Sequence, residues 1–256
     1  MRDPLRILIV DDDPGMAETL GDILEATGYQ VEIASDGPQA LACIQGTPFD
    51  VIFLDIKMPQ MNGVEVLQRT KRIRPDTVAV MMTAYALPDL ITEALREGAV
   101  AVVSKPLPVE RMIRFLEELS VARPVLIVDD DRAFGASLQD VMESHGYAVA
   151  YAVDAGEAIE AARRSHPGVV LLDLKLPVRS GYEVLREIQQ LDPKATVLLM
   201  TGYAQELKSL VEKSLQEGAH LCLYKPVHPW EILQHVASAR IHQAAAHLRG
   251  PEGHAA

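Results

Sequence analysis

Asp11, Asp12 and Asp13 close the apolar run RILIV, Asp55 closes VIFL, Thr83 closes VAVMM, and Lys105 stands between another apolar run and a proline. Carboxylates about 4 Å apart repel by roughly 4 kcal/mol per pair at an effective dielectric near 20, so a cluster of them demands protons or a cation. All-oxygen ligation points to a hard ion, and Mg²⁺, which takes one or two carboxylates with waters and a phosphate oxygen, fits better than a Ca²⁺ cage. With such an ion, one carboxylate free to attack, a lysine and a hydroxyl, these residues are equipped for phosphoryl transfer onto an aspartate. That reaction needs chiefly positioning and neutralisation of the phosphoryl oxygens, which Lys105 and Thr83 can supply.

The set occurs twice. A shift of 118 residues carries Asp11-Asp12-Asp13 onto Asp129-Asp130-Asp131, Gly28-Tyr29 onto Gly146-Tyr147, Asp55 onto Asp173, Lys57 onto Lys175, Gly63 onto Gly181 and Met82-Thr83 onto Met200-Thr201. After a two-residue insertion, Lys105-Pro106 meets Lys225-Pro226. A period this long signals duplicated domains, not a solenoid.

Elements must bring these scattered residues together. In the first copy, short apolar runs alternate with helical patterns: RILIV then 14–27, QVEIA then 37–46, DVIFL then 63–73, TVAVMM then 88–97, and VAVV then 108–120. Five strands alternating with five helices predict an α/β fold, a five-stranded parallel sheet with helices on both faces. Ligands of such sheets bind outside the carboxyl ends of the strands, near the point where strand order reverses. Every polar residue named above falls at such an end.

The 256 residues and 48% hydrophobic content allow two packed cores. The net charge of -12 divides as -8 over residues 1–122 and -4 over 123–256, so neither half carries the basic footprint of a nucleic-acid binder. Charge interrupts every apolar run before the length of a membrane span, and acids stand where a signal peptide needs its apolar stretch. A soluble, cytoplasmic protein is expected. Cys43 and Cys222 occupy non-equivalent places and match no metal-ligand spacing, which predicts small buried hydrophobes.

Each half resembles the receiver domain of bacterial two-component response regulators. The resemblance covers about 1–121 and 123–240 and rests on VDD, LDIKMPQMNG or LDLKLPVRSG, MMTAY or LMTGY, and SKP or YKP, in order and twice. It implies two flavodoxin-like (βα)5 domains, at 1–121 and 125–241, joined by a linker at 122–124 and followed by a helical extension and disordered tail at 242–256. It implies that Asp55 and Asp173 are phosphoacceptors. Asp11 and Asp12, and Asp129 and Asp130, would hold Mg²⁺ with those acceptors and the backbone carbonyls of Lys57 and Lys175. Thr83 and Thr201 would bond the phosphoryl group, Lys105 and Lys225 would pair with it, and Pro106 and Pro226 would follow cis bonds. The implied donor is a sensor histidine kinase or histidine phosphotransfer protein. Output would be protein–protein contact or draining of phosphoryl groups, without an enzymatic activity of its own; a homodimer is compatible. Val102 and Cys222 depart from the family, which commonly has Tyr or Phe three residues before the lysine.

Simpler roles fit other residues. Asp13 and Asp131 read as helix N-caps, Asp13 with Pro14 at the first helical position. Tyr85 and Tyr203 could shield an acyl phosphate from water. His228, His235 and His242 recur every seven residues on the last helix, about 10 Å apart, too far for one metal ion, and read as a solvated face. The same helix carries Ala237, Ile241, Ala244 and Leu248 at roughly heptad spacing, over too few heptads for a coiled coil. No GxxxxGK[ST] loop and no GGDEF-like string occurs. Rival readings are a phosphorylation-independent scaffold, a metal-dependent phosphatase or flavin protein on a similar sheet, and the regulatory part of a larger enzyme. The phosphatase would want an acid two residues after its nucleophile, where Lys57 and Lys175 stand.

Overall fold

The computed structural model describes residues 4–84, 88–121 and 123–248. Among the described residues two compact units divide the chain, one built on residues 4–120 together with 244–248 and the other on residues 121–243.

In the first unit the order is β1 (Arg6–Val10), α1 (Pro14–Ala26), β2 (Gln30–Ala34), α2 (Gly37–Gly46), β3 (Val51–Asp55), α3 (Gly63–Ile73), β4 (Val78–Thr83), α4 (Pro88–Arg96), β5 (Ala101–Ser104) and α5 (Val109–Ser120). All strands pair in parallel, in the order β2-β1-β3-β4-β5. The chain leaves β1 to one side for β2 and returns to the other for β3, so the crevice at the strand ends opens between β1 and β3.

β3 and β4 are buried along their whole length, as expected of central strands covered on both faces. Leu8, Val10, Ile52, Leu54, Ala79 and Met81 point to one face and pack with residues of α2, α3 and α4. Phe53 points to the other and meets Phe115 of α5 edge-on, ring centroids 6.5 Å apart. Asp13 caps α1 by accepting from the Met16 N–H at 3.1 Å, with Pro14 in the first turn.

The second unit repeats the plan: β6 (Val125–Val128), α6 (Arg132–Ser144), β7 (Val149–Ala152), α7 (Ala155–Ser165), β8 (Val169–Asp173), α8 (Gly181–Leu191), β9 (Thr196–Thr201), α9 (Lys208–Gln216), β10 (Leu221–Tyr224) and α10 (Pro229–Ala245). Its parallel sheet has the order β10-β9-β8-β6-β7, the same topology. Leu126, Val128, Val170 and Leu172 pack toward α7, α8 and α9, and Val125, Ile127, Val169 and Leu171 toward α6 and α10. Asp131 caps α6, accepting from the Ala133 and Phe134 N–H groups at 3.0 and 3.1 Å. Residues 242–245 of the expected extension are helical, and the tail from 249 lies outside the described residues. Among the described residues no helix is long and apolar enough to cross a membrane.

Candidate functional site

Each sheet brings its predicted residues to one rim. Asp11 leaves β1 with its side chain buried, its N–H bonded to the Ala34 carbonyl at 3.1 Å and its Oδ1 accepting from the Asp13 N–H at 3.1 Å. Asp55 is the last residue of β3, paired with Met82 of β4. Oxygens of Asp11, Asp12 and Asp55 lie within 4.8 Å of one another, Asp12 exposed and the other two buried. Asp129, Asp130 and Asp173 repeat this grouping and this burial.

Lys105 ties the cluster together: its Nζ donates to Asp11 Oδ2 and to Asp55 Oδ2, each at 2.7 Å. Lys225 donates to Asp129 Oδ2 and Asp173 Oδ2, each at 2.6 Å. The backbone fixes where these lysines stand, because the Lys105 N–H donates to the Thr83 carbonyl at 2.7 Å and the Lys225 N–H to the Thr201 carbonyl at 2.8 Å. Thr83 and Thr201 end β4 and β9 as buried residues, one position beyond the ladder partners of the aspartates. The bonds Lys105–Pro106 and Lys225–Pro226 are both cis.

The loop after each acceptor strand is equally fixed. The Lys57 N–H donates to Asp55 Oδ1 at 3.2 Å, and the Lys175 N–H to Asp173 Oδ1 at 2.9 Å. The next helix begins against the strand end: a β-carbon on Gly63 would stand 2.1 Å from the Asp55 carbonyl oxygen, and one on Gly181 2.2 Å from that of Asp173. Only glycine fits there.

Burial pushes the Asp55 carboxyl above its ordinary pKa, more strongly than its bond to Lys105 pulls it down, and the charge of Asp11 adds to the rise. Asp129 is raised for the same reason, burial outweighing Lys225. Burial works against the charge on Lys105, but its bonds to Asp11 and Asp55 prevail and its pKa rises; Lys225 behaves alike. One ammonium thus faces three carboxylates in each cluster. The remaining negative charge and the hard oxygen donors fit a divalent cation of the Mg²⁺ class.

Two features near Asp173 come from the three-dimensional arrangement. Lys175 Nζ stands 3.5 Å from the centroid of the Tyr203 ring, a cation–π contact beside the acceptor. Val178 is fully exposed with φ +71°, as its counterpart Gln60 has φ +67°, a backbone region uncommon for any residue but glycine and least suited to a β-branched one. Tyr85, expected to shield Asp55, lies outside the described residues. Val102 and Cys222 are partly buried, Val102 against the core formed with α2, α3 and α4 and Cys222 against that formed with α7, α8 and α9. Cys43 and Cys222 are free thiols, half-buried, whose pKa burial raises to about 11.

Two doubly wound α/β domains, each with an acidic, lysine-bridged rim at its topological switch point, define the class of protein. The chain belongs to the response regulator receiver domain family, which it matches over residues 7–117 and 125–237. It is 35% identical over 199 residues to a response regulator receiver protein of Anaeromyxobacter sp. (strain Fw109-5), covering 77% of this chain and 82% of that one. It is 38% identical over 112 residues to the transcriptional regulatory protein ZraR of Klebsiella oxytoca, covering 44% of this chain but only 25% of that protein's length. A receiver domain structure from Methanospirillum hungatei JF-1 shares 36% identity and covers 45% of this chain and 93% of its own, with a TM-score of 0.44. The chain is thus a tandem of receiver domains, the modules of two-component signalling.

Proposed function

We propose that both receiver domains are phosphoacceptors, with Asp55 and Asp173 taking a phosphoryl group from the phosphohistidine of a sensor histidine kinase or a histidine phosphotransfer protein. The observation that carries this is the doubled geometry: a buried aspartate pair bridged by one lysine Nζ at 2.6 to 2.7 Å, with a third acid alongside, at the same switch point in each sheet.

An oxygen of Asp55 or Asp173 attacks phosphorus, the P–N bond to the donor imidazole breaks, and an acyl phosphate forms. Lys105 or Lys225 is placed to follow the negative charge from carboxylate to phosphoryl oxygen, and Thr83 or Thr201 to donate its hydroxyl to that group. Asp11, Asp12 and Asp55 with the Lys57 carbonyl, and Asp129, Asp130 and Asp173 with the Lys175 carbonyl, would hold Mg²⁺. When bound, the ion neutralises the converging oxygens and orients the phosphoryl group. Tyr203, held against Lys175, would cover the acyl phosphate of Asp173 and slow its hydrolysis.

In this reading residues 1–121 and 125–241 are the working domains, 122–124 is a linker, and the output is a protein partner or the draining of a relay in the cytoplasm, with no catalytic product of its own. The test is labelling by a small acyl phosphate donor with Mg²⁺ or with excess chelator. The reading predicts acid-stable, base-labile label only with the metal; equal labelling under both conditions would reject it.

A further inference from the structure

The histidines of α10 serve none of the chemistry above. Spaced seven residues apart they cannot share an ion among themselves, but the fold brings another histidine to them. His220 lies just before β10, the edge strand, its N–H anchored to the Val197 carbonyl at 2.9 Å. From there its ring faces His242 of α10, centroids 6.2 Å apart and planes tilted by 53°. Both residues are exposed and open to an ion from solvent.

The second ring is oriented for ligation. His242 Nδ1 stands 2.8 Å from the Ser238 carbonyl oxygen one turn earlier on the helix. A carbonyl only accepts, so Nδ1 carries the hydrogen and Nε2 keeps its lone pair for an ion. A backbone carbonyl holding the far nitrogen is the usual outer partner of a metal-binding imidazole. With metal–nitrogen bonds of about 2.0 to 2.1 Å, two imidazoles on one tetrahedral ion have centroids roughly 5 Å apart, within about 1 Å of the observed spacing. Rotation of two exposed side chains closes that gap.

We propose that His220 and His242 form a surface site for one imidazole-preferring transition-metal ion of the Zn²⁺, Ni²⁺ and Cu²⁺ class, its other positions filled by water. Imidazole nitrogens select these ions over Mg²⁺, so the site is chemically separate from the all-oxygen rims. An ion there would tie the edge strand β10 to α10. The pair belongs to the second domain alone: the corresponding positions of the first carry Val100 and Ala122.

The test is calorimetric titration of the full chain with Ni²⁺ near neutral pH, in excess Mg²⁺ so that the acidic rims do not compete. We expect one Ni²⁺ per chain, affinity weakened roughly tenfold or more in both His220→Ala and His242→Ala, and no change in His145→Ala, which alters an exposed histidine elsewhere. Acidification to about pH 5 should release the ion, because both rings must be neutral to bind. Circular dichroism of the variants checks that these surface changes leave the fold intact. Absence of saturable binding in the wild type, or wild-type affinity in either His220→Ala or His242→Ala, would overturn the proposal.

Discussion

Gly63 lies against Asp55 so closely that the smallest side chain would put an atom 2.1 Å from the Asp55 carbonyl oxygen. The start of α3 and the acceptor are therefore one rigid piece. Gly63→Ala is expected to push the loop away from β3, lowering stability by about 1 to 3 kcal/mol and reducing labelling of Asp55 while leaving that of Asp173 unchanged. Gly181→Ala should do the reverse. Urea unfolding with site-resolved mass spectrometry checks both; undiminished labelling of Asp55 in Gly63→Ala would contradict the close-packing argument.

Val178 is fully exposed at φ +71°, so its side chain gains nothing from packing and its backbone sits where β-branched residues are disfavoured. Asparagine adopts that conformation with less strain. Val178→Asn is expected to stabilise the second domain by about 0.5 to 1 kcal/mol, read as a higher urea midpoint. A lower midpoint would mean that the loop geometry is held by something other than local backbone preference.

Lys71 joins the end of α3 to the start of β4, its Nζ donating to the carbonyls of Pro75 at 3.1 Å and Thr77 at 2.8 Å. Burial lowers its pKa below 10.5, against the opposing charge of Asp76. Between that lowered value and 10.5 the unfolded chain binds more protons than the folded one, so Lys71 makes stability rise with pH across this window. Below it both states are protonated and the burial penalty is felt in full. Gln189 holds the corresponding place in the second domain. Lys71→Gln should thus fold, change stability by no more than about 1.5 kcal/mol, and remove the rise. Denaturant unfolding of both proteins from about pH 8 to 10.5 gives the difference; identical slopes would show that Lys71 does not titrate there.

The sheet and its rim could be read from residue patterns because burial and repetition both leave marks in sequence. Continuous apolar runs located β1 and β2 as observed, whereas for β3, β4 and β5 they ended one residue early: DVIFL, TVAVMM and VAVV became Val51–Asp55, Val78–Thr83 and Ala101–Ser104. The reason is that Thr83 still pairs with Ser104 and Asp55 with Met82, since a polar residue can close a ladder whose interior is apolar. The doubled spacing of Asp11, Asp55, Thr83 and Lys105 marked the rim. By contrast, the left-handed backbone at Gln60 and Val178 is set by how the loop must turn, and neither residue type advertises it. The meetings of Lys175 with Tyr203 and of His220 with His242 join elements distant in sequence and needed three-dimensional placement.

If Asp55 and Asp173 are the two phosphoacceptors proposed above, no other residue takes a phosphoryl group. Intact mass after incubation with Mg²⁺ and a small acyl phosphate donor tests it most directly, on the wild type, Asp55→Asn, Asp173→Asn and the double variant. Up to two added phosphoryl groups are expected in the wild type, at most one in each single variant and none in the double. Label that persists in the double variant would contradict it.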